Sequence, residues 1–289
     1  MIFSMKNNIY YRKIKIDTID IFYREAGSKE NPVLLLLHGF PSSSHMYRDL
    51  IRELSGTFYI IAPDYPGFGQ SSTPEIKDFT FSFHNLSVVM EAFIDALELK
   101  DINLFVQDYG GPIGFRIALR RPGLIKSFII QNANAYEEGL GEALAPLAAY
   151  IENNSDEAEQ GARAFLKPEA TQWQYLEGAS QPEKVSPDSY SMDQFYLQRP
   201  GNDLIQLALF RDYGNNMALY PEWQHYLKTN QPKTLVVWGK NDKMFVEAGG
   251  EAYRKDLPDA EIHQLEGGHF LLEEHSEKVA RLVEKFLMN

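Results

Sequence analysis

The sequence predicts an α/β protein: a mostly parallel sheet flanked by helices, with a helical segment inserted after the sixth strand. Three observations carry that expectation. Short apolar runs recur, continuous at 33–37 and interrupted only by Asn103 at 102–106, as strands buried on both faces of a parallel sheet require. Stretches with helical periodicity lie between them, and such alternation implies a parallel sheet with right-handed crossovers. The alternation lapses from about Ala135 to Asp212, where no apolar strand run occurs, and resumes at Thr234.

In chain order, residues 9–16 and 19–24 alternate apolar and polar side chains around Asp17-Thr18, which predicts an antiparallel pair. The buried strand 33–37 follows and ends in His38-Gly39-Phe40-Pro41-Ser42-Ser43-Ser44. A helix with a serine N-cap is expected over 45–54. Strand 58–62 runs into the glycine- and proline-dense loop Asp64-Tyr65-Pro66-Gly67-Phe68-Gly69-Gln70-Ser71. A helix over 83–97 precedes strand 102–106, and Asp108 then sits at a tight turn before a helix over 110–120. Strand 126–131 completes the first half.

The inserted segment reads as several helices broken by Pro168, Pro182, Pro187 and Pro200. After it come a helix over 221–229, strand 234–238, a helix over 247–256, strand 261–265 and a closing helix over 276–287. No internal repeat is visible.

The 289 residues suit one large domain or one domain with a sizeable insertion. With 44% hydrophobic and 24% charged residues the chain can bury a full core. A formal net charge of -12 repels phosphate backbones and anionic lipid, so neither nucleic acid nor a membrane surface is an expected partner. The absence of cysteine excludes disulfides, thiolate chemistry and Cys-based metal sites. Residues 1–12 lack an apolar core of signal-peptide length, so a cytoplasmic protein is expected.

Ligands of open α/β sheets bind beyond the carboxyl ends of the strands. Four loops there carry polar chemistry: those at His38-Gly39-Phe40, Asp108-Tyr109, Asp242 and His269. A possible nucleophile, an acid and a histidine therefore appear in that order, the order of the α/β-hydrolase fold. Each residue also has a plainer use. Asp108 is a preferred helix N-cap type, and Asn241-Asp242 suits a turn. His38 and Asp64 are read as shaping their loops, and His263, inside a strand, as packing.

The ordered motifs together resemble the α/β-hydrolase superfamily, in the branch that uses an aspartate nucleophile. Val106-Gln107-Asp108-Tyr109-Gly110-Gly111 is similar to the elbow of haloalkane dehalogenases and epoxide hydrolases. His38-Gly39-Phe40-Pro41 is similar to the oxyanion loop of epoxide hydrolases and fluoroacetate dehalogenases. The Asp64–Ser71 loop and Trp238-Gly239-Lys240-Asn241-Asp242 are superfamily hallmarks. The resemblance covers nearly the whole core, assigned to 1–134 and 214–289, with a helical cap over 135–213.

The resemblance implies that Asp108 attacks an sp3 carbon and forms an alkyl ester. His269 would activate water to hydrolyse that ester, and Asp242 would orient the imidazole. The backbone amides of Phe40 and Tyr109 would form the oxyanion hole. Tyr213, in Asp212-Tyr213-Gly214, is placed like the second cap tyrosine of epoxide hydrolases, which protonates the opening oxygen. Tyr136, Tyr175, Tyr190 and Tyr196 are candidates for the first. No cofactor or metal is implied. The expected partners are a small apolar electrophilic substrate and water, and a homodimer is compatible with the resemblance.

Relatives that release halide hold it with a tryptophan after the nucleophile and a second Trp or Asn. Tyr109 and Phe40 stand at two of those positions here, and Trp173 remains as a cap donor. Fluoroacetate dehalogenases place an arginine where Tyr109 stands, and Arg116 and Arg120 are expected to face solvent. An epoxide hydrolase is therefore the first expectation, and a haloalkane or haloacid dehalogenase the alternative. A hydrolase-like ligand-binding protein and an esterase are less favoured.

Overall fold

The computed structural model describes residues 8–288, so the first seven residues of the expected core and Asn289 lie outside it. Eight strands form one sheet: β1 (Ile9–Ile16), β2 (Ile19–Ala26), β3 (Val33–Leu37), β4 (Tyr59–Pro63), β5 (Ile102–Gln107), β6 (Ile125–Gln131), β7 (Lys233–Gly239) and β8 (Glu261–Leu265). Their order is β1-β2-β4-β3-β5-β6-β7-β8. β2 runs antiparallel to both β1 and β4, and the remaining neighbours are parallel. Strands β3, β5, β6, β7 and β8 are consecutive neighbours, so the loops at their carboxyl ends lie side by side along one edge.

The unbroken apolar strands have a direct cause, because each is covered on both faces. Leu35 and Leu37 of β3 join one core with Phe83, Met90 and Phe93 of α2 (Phe83–Ala96) and Ile113 and Ile117 of α3 (Gly110–Arg120). Leu34 and Leu36 join the other with α1 (Arg48–Leu54) and the closing helix. The side chains alternate across the sheet, so every second leucine serves a different core.

Between β6 and β7 lie α4 (Ala145–Glu152), α5 (Asp156–Ala164), α6 (Pro168–Leu176), α7 (Pro187–Leu197), α8 (Asn202–Ala218) and α9 (Tyr220–Asn230). Pro168 and Pro187 open helices, as a residue without an N–H does at the first turn. Helix α8 runs unbroken through residue 213, so no loop marks that proposed cap boundary. Trp223 of α9 stacks on Phe115 of α3 at 5.3 Å, which ties α9 to the sheet layer.

After β7 come α10 (Glu247–Ala252) and α11 (Leu272–Met288). The expected helix over 247–256 ends in a 3-10 turn from Tyr253, and α11 begins four residues earlier than its pattern suggested, with a kink at His275. The expected helix over 45–54 opens as a 3-10 turn capped by Ser43.

Arg116 is a correction. It does not face solvent, being 4% exposed beneath the rings of Phe83 and Trp223. Its guanidinium donates to the Pro112 carbonyl at 3.1 Å, and burial lowers its pKa to about 10. Arg120, by contrast, pairs with Glu91 at the surface. Among the described residues no helix is long and apolar enough to cross a membrane.

One buried carboxyl ties the inserted helices to the sheet layer. Asp193 of α7 accepts from the Tyr175 hydroxyl of α6 at 2.5 Å and from Ser42, in the loop after β3, at 3.3 Å. Burial pushes its pKa up to about 7 against these two hydroxyls, and Glu273 and Asp64 add to the rise. A carboxyl raised in the folded state binds more protons there than in the unfolded chain, so stability falls as pH rises through that window. Asp193→Asn keeps the shape and removes the titration. The two proteins should melt alike below about pH 4. Between there and about pH 7 the variant should pull ahead, each 1 kcal/mol adding about 2–4 °C at this length. Thermal denaturation across pH 3–8 checks this, and a variant that melts lower at pH 8 contradicts it.

Candidate active site

Asp108 caps the turn between β5 and α3 with φ at +48°, a left-handed conformation that is costly for a residue with a Cβ. Close packing holds it there. A Cβ on Gly39 would lie 2.3 Å from the Asp108 Cβ, and one on Gly110 would lie 2.1 Å from the Leu37 carbonyl oxygen. Glycine at these two positions lets the loop after β3 press directly against the turn.

That contact sets the geometry of the carboxylate. Its Oδ1 accepts from the Phe40 N–H at 2.7 Å and from the Tyr109 N–H at 2.6 Å. Its Oδ2 lies 3.9 Å from His269 Nε2. One oxygen is anchored by two amides, and the other faces the imidazole. Burial pushes the Asp108 pKa up to about 6, against His269 and the two amides, which pull it down.

His269, in the loop after β8, gives Nδ1–H to Asp242 Oδ2 at 2.7 Å. Asp242 is held by four hydrogen bonds. Oδ1 accepts from the Met244 and Phe245 amides at 2.8 and 3.0 Å, and Oδ2 also accepts from Asn132 at 2.8 Å. Burial works against a charged imidazole, but Asp242 and Asp108 outweigh it and hold the His269 pKa above its ordinary value. The structure thus brings Asp108, Asp242 and His269 together, with the Phe40 and Tyr109 amides beside them.

His38 shapes its loop as expected. Its Nδ1 lies 3.1 Å from the Gly39 carbonyl and its Nε2 accepts from the Tyr65 N–H at 3.2 Å. Burial lowers its pKa to about 4, so it stays neutral. Asp64 accepts from the amides of Ser44 and Gln70, both at 2.7 Å, and fixes its turn.

Above Asp108 lies a cavity of about 250 Å³. Phe40, Tyr109 and Phe245 line its floor, and α4, α6 and α8 supply its roof. Roof contacts such as Leu147, Ile151 and Phe210 are apolar. Tyr213 of α8 lines it too, its ring 6.5 Å from that of Tyr109 and 5.8 Å from that of Phe83. Burial, then Tyr220 and Asp108, push the Tyr213 pKa well up, so its hydroxyl keeps its proton.

This is a sheet edge with a strained carboxylate elbow, an adjoining amide pair and a histidine–aspartate couple in the order of the motifs. The α/β-hydrolase fold family matches residues 32–276 of the chain. The protein is an α/β hydrolase. Over 280 residues it is 42% identical to an uncharacterized hydrolase, YNR064C, of Saccharomyces cerevisiae, covering 93% of this chain and 94% of that one. It is 29% identical over 269 residues to a cis-3-alkyl-4-alkyloxetan-2-one decarboxylase of Shewanella oneidensis, over 88% and 81% of the two chains. The haloalkane dehalogenase DatA from Agrobacterium tumefaciens C58 shares 25% identity and a TM-score of 0.81 over 97% of each chain.

None of the four tyrosines considered for a first cap tyrosine lines the hydrolase's cavity. Tyr136 donates to Asp256 at 2.9 Å, Tyr175 donates to Asp193, Tyr190 packs on Tyr175, and Tyr196 bonds Gln70. Trp173 is 37% exposed and does not line it either. Gln174, between Trp173 and Tyr175, does.

Sequence reasoning missed three amides. Asn132 follows β6 and bridges Asp242 to the Gly239 backbone, accepting from its N–H at 2.9 Å. Gln107 precedes Asp108 and places its amide nitrogen 2.9 Å from His269 Nε2. Gln174 is the third. Asn132 carried a readable signal, since it is a polar residue at a strand end beside the other candidates.

Asn132→Ala leaves the Gly239 N–H and one Asp242 acceptor site unpaired in the interior. It should lower the unfolding free energy by about 1–3 kcal/mol in urea titration. An unchanged midpoint and slope would show that Asn132 does not support the acid.

Proposed function

We propose that the hydrolase opens epoxides through an alkyl-enzyme ester on Asp108. Oδ2 attacks a ring carbon, forming one C–O bond as the ring C–O bond breaks. The released oxygen takes the proton of the Tyr213 hydroxyl. His269 then removes a proton from water, and the hydroxide attacks Cγ of Asp108. The negative charge of the tetrahedral intermediate falls on Oδ1, where the Phe40 and Tyr109 amides already point; a donor of this kind contributes about 2.7–4 kcal/mol in a serine-protease case. Collapse releases the diol as an alkoxide that takes the imidazolium proton. Collapse leaves Asp108 as the acid, carrying the second proton of the water, and that proton passes through solvent to the phenolate, which restores both Tyr213 and the Asp108 carboxylate.

The observation that carries this reading is the pairing, in one apolar cavity, of an amide-anchored carboxylate and a phenol that keeps its proton. An oxygen leaving group needs a proton, and a halide does not. The relative named for an oxetan-2-one substrate, also a small strained oxygen ring, is consistent with it. The likeness to DatA favours a second reading, dehalogenation by the same attack with halide leaving.

His269→Gln separates the readings by halting the second step. Incubated with epoxides and with haloalkanes, the variant should accumulate an adduct on the peptide containing Asp108, weighed by mass spectrometry. An adduct from haloalkanes alone supports dehalogenation, and none from any electrophile sinks both readings. Adding Tyr213→Phe should slow alkylation by epoxide about 10²-fold and leave alkylation by a bromoalkane within a few-fold. Equal slowing of the two contradicts the proton-donor role.

Alkylation needs the ionised carboxylate, so its rate should rise with pH through the Asp108 pKa of about 6. Because His269 pulls that value down, its replacement by Gln should move the midpoint above about 6. A midpoint that stays or falls in the variant contradicts the coupling.

A further inference from the structure

The epoxide reading asks one hydroxyl, that of Tyr213, to receive an oxygen that develops a full charge and has more than one lone pair to satisfy. Gln174 of α6 stands in the same cavity and is 2% exposed. Neither its amide nitrogen nor its carbonyl oxygen has a hydrogen-bond partner among the described residues. The polar side chains around it are committed elsewhere. Thr171 donates to Gln194 at 2.6 Å, and Tyr175 donates to Asp193. Other buried amides are also unpartnered, Gln131 and Asn134 among them, but they do not line the cavity. A buried primary amide with nothing to bond destabilises the fold, so its place in an apolar wall calls for a ligand that completes it.

We propose that Gln174 is a substrate-contacting residue that fills the role of a second cap hydroxyl. Its side-chain N–H donates, alongside the Tyr213 O–H, to the oxygen released from the ring. Its carbonyl oxygen accepts from a hydroxyl of the product diol. This rests on the epoxide reading, and it places the oxygen-bearing end of the substrate between α6 and α8. The alkyl end then lies against Leu147 and Ile151 of α4, which selects aliphatic epoxides.

Gln174→Met keeps the length of the side chain and removes its polarity. Three measurements test the assignment. The affinity for hexane-1,2-diol, by calorimetry, should fall about 2–10-fold, as the loss of one neutral hydrogen bond predicts. Alkylation by 1,2-epoxyhexane, in the His269→Gln background, should slow about 10-fold or more, because the contact strengthens as charge develops. The melting temperature should hold or rise, since an unpaired amide has gone; a structural amide would lower it. Gln174→Leu repeats the test with a second shape.

Unchanged diol affinity in both variants overturns the proposal whatever the chemistry. So does a fall in melting temperature with diol affinity kept. If diol binding weakens as expected but Asp108 is never alkylated by an epoxide, Gln174 stands as a ligand contact and the epoxide reading falls. A wild-type protein that neither binds the diol nor is alkylated overturns both.

Discussion

Two backbone amides on one carboxylate oxygen govern the rest of this site. The Phe40 and Tyr109 N–H groups grip Asp108 Oδ1, and they reach it because Gly39 and Gly110 let two loops meet without a Cβ between them. The grip stabilises the left-handed backbone at Asp108 and leaves Oδ2 facing His269. The strain is local and the packing that opposes it is not, since it draws on β3, β5 and the start of α3 at once. Sheet order then does the assembly. With β3, β5, β6, β7 and β8 as neighbours, five consecutive strand ends deliver Phe40, Asp108, Asn132, Asp242 and the loop of His269 to one edge.

Much of this was legible in the sequence, for a physical reason. Strands buried on both faces leave unbroken apolar runs, and β3 has the bounds its pattern predicts; the half-exposed edge strand β8 also has its expected bounds. The turn at Asp108 shows because a tight elbow needs the glycines that follow it. What escaped was decided by tertiary packing. Arg116 is on the second turn of an ordinary helix, and nothing local says that Phe83 and Trp223 will cover it. Helix α8 crosses residue 213 because its residues on both sides continue one apolar face, with Phe210 and Met217 both at the cavity. Asn132, Gln107 and Gln174 are amides, and an amide in a sequence looks like a surface residue until its neighbours are known.

The three amides differ in what surrounds them. Asn132 is satisfied on both sides, so it stiffens the support of Asp242. Gln107 meets the imidazole nitrogen that faces Asp108, where a donor fixes the ring without adding charge. Gln174 has no partner among the described residues. Of these three amides, the two at the sheet edge therefore each meet a catalytic-site side chain, and the one in the cap meets none.

The tied oxygen of Asp108 has a stereochemical consequence. A free carboxylate offers two equivalent oxygens and two directions of approach. This one offers a single oxygen, bounded by His269 on one side and the roof on the other. Under the proposed attack at a tetrahedral carbon, which runs along one line, a chiral substrate would present one carbon along it while its chain lay against a fixed wall. Mirror-image molecules cannot do both in the same way. The proposed reaction would then read handedness at the floor of the cavity, through two main-chain N–H groups that no substitution but proline removes.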